Sequence, residues 1–138
     1  MAGKMRPHYF LHISFPHLLV VMITYVCRGI GGILRNDEGA WVGVFSELIG
    51  IRSNMFAELL GIKEGLIFCL DMGLSRLEVE TDCLEATKLI AKEDVSTHQL
   101  GILILDVRGL MKLFESLAIK HIFREANQCA NGLARMGS

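Results

Sequence analysis

The sequence predicts one α/β domain: three antiparallel strands, then alternating helices and strands, giving a five-stranded mixed sheet flanked by helices. Three observations predict this. Three short apolar runs, rich in β-branched residues or glycine and separated by turn signals, lie between residues 18 and 45. From Asn54 the apolar spacing lengthens to that of a helix. Beyond it, two short strand-like segments return with helical stretches between them and after them.

Residues 1–17 show no regular apolar period and are expected to form a poorly defined N-terminal arm, leaving 18–138 as the domain. The first strand covers 18–26, where Val20, Val21, Ile23, Thr24, Tyr25 and Val26 suit a buried strand. Gly29-Ile30-Gly31-Gly32-Ile33-Leu34-Arg35 is the second strand, and Asn36-Asp37-Glu38-Gly39 supplies turn residues that tolerate positive φ. Trp41 to Phe45 returns as the third. Over 54–72, Phe56, Leu59, Leu60, Lys63, Leu66, Ile67 and Leu70 mark a helix, with Ser53 or Asn54 as its cap and Gly73 as its stop. Leu77-Glu78-Val79-Glu80 alternates as a fourth strand and runs into Thr81-Asp82, and a second helix begins at Leu84. A polar loop over 92–99 precedes a helix over 100–114. A fifth strand follows over 117–123, then a closing helix over 126–136.

A length of 138 residues, 51% of them apolar, is enough for one hydrophobic core, and a net charge of -1 argues against a disordered chain. The strongly basic balance common in nucleic-acid binders is absent, although no Asp or Glu precedes Asp37 while Lys4, Arg6, Arg28 and Arg35 do. Cys27, Cys69, Cys83 and Cys129 form no C-x-x-C pair and have no His at zinc spacing. They read as free thiols in a reducing compartment, which places the protein inside the cell, in nucleus or cytoplasm. The acid-free start leaves organelle import open, with a single Ser in that stretch against it. The apolar run over 18–26 is too short to span a bilayer and lacks a small-x-small cleavage site, so no membrane association is expected.

Metal-assisted hydrolysis of a phosphodiester needs acidic residues converging from separate elements. Glu58, one turn inside the first long helix on its sheet-facing side, and Asp82, at the end of the fourth strand, fit that requirement. Each has another reading. Asp82 with Glu85 resembles a capping box for the second helix, and Glu58 suits the positive end of its own helix.

Four segments taken together say more. Gly31-Gly32-Ile33-Leu34-Arg35-Asn36, Ala57-Glu58-Leu59, Leu77-Glu78-Val79-Glu80-Thr81-Asp82 and Arg124-Glu125-Ala126-Asn127-Gln128-Cys129-Ala130-Asn131-Gly132-Leu133-Ala134 occur in an order and spacing that resembles the ribonuclease H-like domains of plant retroelement (non-LTR) reverse transcriptases and their stand-alone relatives, from about Gly29 to Gly137. The resemblance implies a ribonuclease H-like fold, Mg²⁺ as cofactor with Mn²⁺ as the alternative ion, and cleavage of the RNA strand of an RNA–DNA hybrid; the chain is expected to be a monomer. It makes Glu58 and Asp82 catalytic metal ligands, sets Asn131 where the family has another Asp, and puts Arg124 and Asn127 at a nucleic-acid contact. Arg124 reads equally as a partner for backbone carbonyls, Asn127 as a helix cap, and His121 as a surface strand residue.

The family also carries an Asp-Gly pair in its first strand, for which this chain has no acidic counterpart. An Asn at 131 offers a lone pair but no charge. About two negative charges would then face the four positive charges of two Mg²⁺. Two functions of different class follow: a hybrid endoribonuclease of weak or no activity, or an inactive nucleic-acid-binding or interaction domain. Slow cleavage at most is expected of a labelled hybrid in Mg²⁺ or Mn²⁺, lost on Glu58→Gln. Rapid turnover by the native chain would contradict the charge count.

Overall fold

The apolar strand expected first in the sheet lies at its centre. The computed structural model describes residues 8–9, 19–26, 29–36, 38–50 and 53–122, in the order β1 (His8–Tyr9), β2 (Leu19–Val26), β3 (Gly29–Arg35), β4 (Trp41–Leu48), α1 (Asn54–Asp71), β5 (Arg76–Thr81), α2 (Leu84–Ala91), α3 (Gly101–Met111) and β6 (Ser116–His121). The sheet order is β1-β4-β3-β2-β5-β6. β2, β3 and β4 pair antiparallel as expected, while β5 runs parallel to β2 and β6 parallel to β5. The sheet thus has six strands rather than five. The extra one is β1, inside the segment expected to be an arm, where His8 lies opposite Val44 and Tyr9 opposite Gly43. Two paired residues are too few to leave an apolar period in the sequence. The closing helix expected over 126–136 lies outside the described residues.

The turn after β3 is held by Asn36, whose Oδ1 accepts the N–H groups of Glu38 and Ala40, both at 3.0 Å. Gly39 follows at φ +83°, a conformation that needs no Cβ. Along β3 the side chains divide between the two faces of the sheet. Ile30 and Leu34 turn toward α1, while Ile33 packs with Val44 and Ile122 on the other face. β4 continues to Leu48, three residues past the predicted Phe45, because its pairing with β3 runs on to Gly29 opposite Leu48.

α1 covers the inner face. The Ser53 side chain caps it by accepting the Phe56 N–H at 3.2 Å. At the other end Gly73 takes φ +78°, its N–H bonds Leu70 O, and the Leu74 N–H bonds Cys69 O. That is a Schellman ending, and it turns Leu74 back into the core. Leu59, Ile62, Leu66, Phe68 and Cys69 of α1 are buried against Leu34, Phe45, Leu77 and Val79 of the sheet. The rings of Phe45 and Phe68 stand 5.3 Å apart at 45°. Each such side chain contributes about 1.5–3 kcal/mol on burial.

α2 and α3 complete this layer, and Arg108 of α3 joins them. Its guanidinium donates to the carbonyls of Ile90 at 2.8 Å, Leu89 at 3.3 Å and Lys92. Leu89 O also accepts the Lys92 N–H at 3.3 Å, so Arg108 adds donors to a helix end that is short of them. The Lys63–Asp106 ion pair links α1 to α3 at 3.3 Å. α3 is shorter than the predicted 100–114 and starts at Gly101, where a Cβ would sit 2.5 Å from the Val95 carbonyl oxygen. Gly109, by contrast, lies in an exposed part of α3 with nothing within 4 Å of the same position. Gly101→Ala is therefore expected to cost about 1–3 kcal/mol, and Gly109→Ala to add about 0.5–1 kcal/mol by favouring the helix. Urea unfolding of the two variants checks both signs; equal effects would contradict the packing described.

Candidate functional site

α1 and the end of β5 bring the two predicted carboxylates into one region. Glu58 lies on the sheet-facing side of α1 and is only 8% exposed. Along β5, Leu77, Val79 and Thr81 are buried, so the hydroxyl of Thr81 faces α1. It donates to Glu58 Oε2 at 3.4 Å and accepts the Cys83 N–H at 3.1 Å. Asp82 follows directly, half-buried. The capping alternative for Asp82 fails: the N-cap of α2 is Cys83, and no side chain caps that helix. The chain leaves β5 one residue later than a capping box at Asp82 needs, because the Thr81 hydroxyl takes the Cys83 N–H. Burial, reinforced by the charges of Glu58 and Asp82, raises the Cys83 thiol above its ordinary range.

Glu38, Glu78 and Glu80 lie elsewhere. The 36–39 turn follows Arg35, which pairs with Val20 at the start of β2, whereas Thr81 pairs with Ile23 near its end. Glu38 is therefore at the opposite end of the sheet from Asp82. Glu80 lies on the face opposite Thr81, where Arg35 reaches it across β2 with an Nη2–Oε1 distance of 2.8 Å. Its neighbour Glu78 pairs with Lys120 at 2.7 Å. These acids tie strands together and do not join Glu58 and Asp82.

A cleft of about 620 Å³ lies between the start of α1, α2 and the 92–100 loop. Ser53, Thr97, His98 and Gln99 give it neutral polar groups, and Glu85 its one acidic side chain. His98 Nδ1 accepts the Leu100 N–H at 3.0 Å, which leaves the ring proton on Nε2. Glu58 lies five residues, about 7.5 Å of helix rise, beyond Ser53.

Of the predicted site residues, the structure brings together Glu58 and Asp82; Asn131, Arg124 and Asn127 lie outside the described residues. Among those described, no three His, Cys, Asp or Glu side chains are grouped so as to hold a metal ion. Among the described residues, two carboxylates, one of them engaged by Thr81, are too few for a pair of divalent ions. Apolar neighbours in the sequence suggest burial for both Cys69 and Cys83; Cys69 is fully buried, whereas Cys83 is only half-buried. Sequence reading missed Thr81 and His98. Thr81 was within reach, since it continues the buried alternation of Leu77 and Val79. His98 sits in an irregular loop with no period to place it.

Known proteins share this arrangement of the chain. The family described as reverse transcriptase-like matches residues 27–137. A candidate ribonuclease H protein of Arabidopsis thaliana is 36% identical over 104 residues, which is 75% of this chain and 17% of that protein's length. The chain therefore spans about a sixth of the relative. Among solved structures, RNase H1 of Halobacterium salinarum superposes with a TM-score of 0.80 at 23% identity, covering 87% of this chain and 96% of its own. The N-terminal RNase H domain of a Mycobacterium tuberculosis protein gives 0.78 at 21%, covering 88% and 93%. LC11-RNase H1, solved with an RNA/DNA hybrid, gives 0.76 at 20%, covering 86% and 94%. These likenesses establish the ribonuclease H-like fold.

Three partly buried acids set a pH dependence. Burial is the largest cause raising Glu47, Glu64 and Glu80 above 4.5, with Glu64 adding to the rise at Glu47; at Glu80 burial outweighs the opposing effect of Arg35. The folded chain then holds more protons than the unfolded one between 4.5 and the raised values. Stability contributed by these groups grows as pH falls from neutrality into that window and is lost as pH rises through it. Thermal melts are expected to show a higher Tm near the raised values than at pH 7, with Glu47→Gln raising Tm at pH 7 and flattening the slope. A Tm that falls steadily from pH 7 toward 5 would contradict the assignment.

Proposed function

Because the chain belongs to the reverse transcriptase-like family and folds as a ribonuclease H-like domain, we propose that it binds an RNA–DNA hybrid and cleaves it weakly or not at all. The observation that carries this is the cleft at the start of α1, lined by Ser53, Glu85, Thr97, His98 and Gln99. A helix N-terminus receives phosphate without needing a full cation. Neutral hydroxyl, amide and imidazole donors suit recognition by shape and by the ribose 2′-OH, which distinguishes an RNA strand from DNA. A net charge of -1 fits few phosphate contacts rather than a broad electrostatic grip.

Glu58 and Asp82 are the acidic groups where α1 meets the end of β5. With Oε2 of Glu58 accepting the Thr81 hydroxyl, the pair is suited to holding position and to accepting hydrogen bonds from ribose hydroxyls. The structure of LC11-RNase H1 with RNA/DNA hybrid shows that the shared fold accommodates this ligand in that protein. The four motif segments support descent from a plant retroelement reverse transcriptase, with Arg124 and Asn127 adding contacts to the nucleic-acid backbone.

Fluorescence anisotropy with a labelled RNA–DNA hybrid tests the proposal. The native chain is expected to bind at low salt, to weaken as salt rises with the shallow slope of a few phosphate contacts, and to prefer hybrid over duplex DNA. His98→Ala and Thr97→Val should each weaken binding about fivefold, roughly one neutral hydrogen bond. Absence of binding by folded protein at low salt, or binding indifferent to salt, would overturn it.

A further inference from the structure

The three most exposed large apolar side chains among the described residues stand on one helix. Ile102, Leu105 and Leu113 are 81%, 54% and 66% exposed. With Asp106, Gly109 and Lys112 they make up the exposed residues of α3 and of the turn at 112 and 113 that continues it. Steps of three and four, from 102 through 105 and 109 to 112 and 113, set them on one stripe of the helix. Ile104 and Val107 are buried on the opposite side, against the core. The stripe is a second apolar surface that faces away from the domain. Contiguous exposed apolar surface marks an interaction site.

This stripe is complementary to itself when run in the opposite direction. A two-fold axis at Gly109 makes two α3 helices antiparallel, and residues equally far before and after 109 come level with each other. Leu105 is then level with Leu113 of the second copy, and Asp106 with Lys112 of the second copy. Apolar meets apolar and acid meets base at both ends of the crossing. Gly109 stands at the centre, where nothing lies within 4 Å of the place its Cβ would occupy, so the two backbones can approach closely. On the Lys112 edge of the stripe, Arg108, Met111, Lys112 and Leu117 line a cavity of about 270 Å³, with room for a leucine side chain of the second copy. A net charge of -1 leaves little repulsion between two chains.

We propose that a second copy of this chain covers the α3 stripe, so that the protein forms a weak symmetric dimer in place of the monomer expected from its sequence. Pairing through α3 is independent of whether the cleft at the start of α1 binds a hybrid. The helix has 11 residues, a length of about 16 Å. A contact of that length buries less than the roughly 1,200 Å² of stable complexes, which makes the pair concentration-dependent.

Sedimentation equilibrium of the full chain from about 10 µM to about 1 mM, the range in which so small an interface associates, tests this. Melts at the lowest concentration show that each variant folds. The mean mass of the native chain is expected to rise toward twice that of one chain. Leu105→Lys and Gly109→Gln, both at exposed positions, should each weaken association at least about tenfold while Tm is kept. Asp106→Lys and Lys112→Asp should each weaken it alone, and an equimolar mixture of the two should recover it, because each chain then supplies the charges that the other lacks.

A single mass across the range for the folded native chain would overturn the proposal and leave the stripe to a partner of another kind. Association that Leu105→Lys and Gly109→Gln leave unchanged would overturn its placement on α3. A mixture of the two charge variants no better than either alone would overturn the two-fold at Gly109.

Discussion

The structure depends on α1 lying against the inner face of the sheet with a carboxylate in its buried side. Most of that side is apolar: Leu59, Ile62, Leu66, Phe68 and Cys69 lock against β3, β4 and β5. Glu58 interrupts it, and a buried carboxylate is tolerated only where polar partners meet it. The Thr81 hydroxyl is one such partner, and its own position follows from the inward alternation of Leu77, Val79 and Thr81. Once α1 is seated, its N-terminus must open beside α2, which starts at Leu84 just beyond Thr81. The cleft and the acidic pair are thus consequences of one packing arrangement.

Much of the fold was legible because period and punctuation agreed. Leu77-Glu78-Val79-Glu80 alternated as a half-buried strand does, and the pattern placed β5 correctly. Ser53 and Gly73 marked both ends of α1 through capping preferences that act over a few residues. β1 was illegible because two residues carry no period, and its pairings with Val44 and Gly43 span 36 and 34 residues of sequence. The start of α3 was set by the backbone of Val95 pressing on Gly101, a contact that leaves no signal in local propensity.

The site was legible in its acids and not in its surroundings. Glu58 and Asp82 could be picked out as residues converging from a helix and a strand end, and they do converge. Whether Asp82 capped α2 could not be decided from spacing, since Asp82 and Glu85 fit the pattern equally well. The Cys83 N–H bonding Thr81 decided it. Arg108 was unreadable as a structural residue because its carbonyl partners lie 16 to 19 positions away. Arg35 and Glu80 are joined across β2, 45 residues apart in sequence.

The Arg108 clasp bears on the cleft, although Arg108 does not line it. It fixes the end of α2, and the approach of Gly101 to Val95 fixes the start of α3, so the loop between them is held at both ends. Within it the His98 N–H bonds Val95 O and the Ser96 N–H bonds Asp94 Oδ1. A loop so restrained has little conformational freedom left to lose. Thr97 and His98 are preorganised, and a ligand entering the cleft forgoes the ordering cost that a mobile loop would impose. Loosening the clasp from α3 would show first as faster dissociation, with every residue that touches the ligand unchanged.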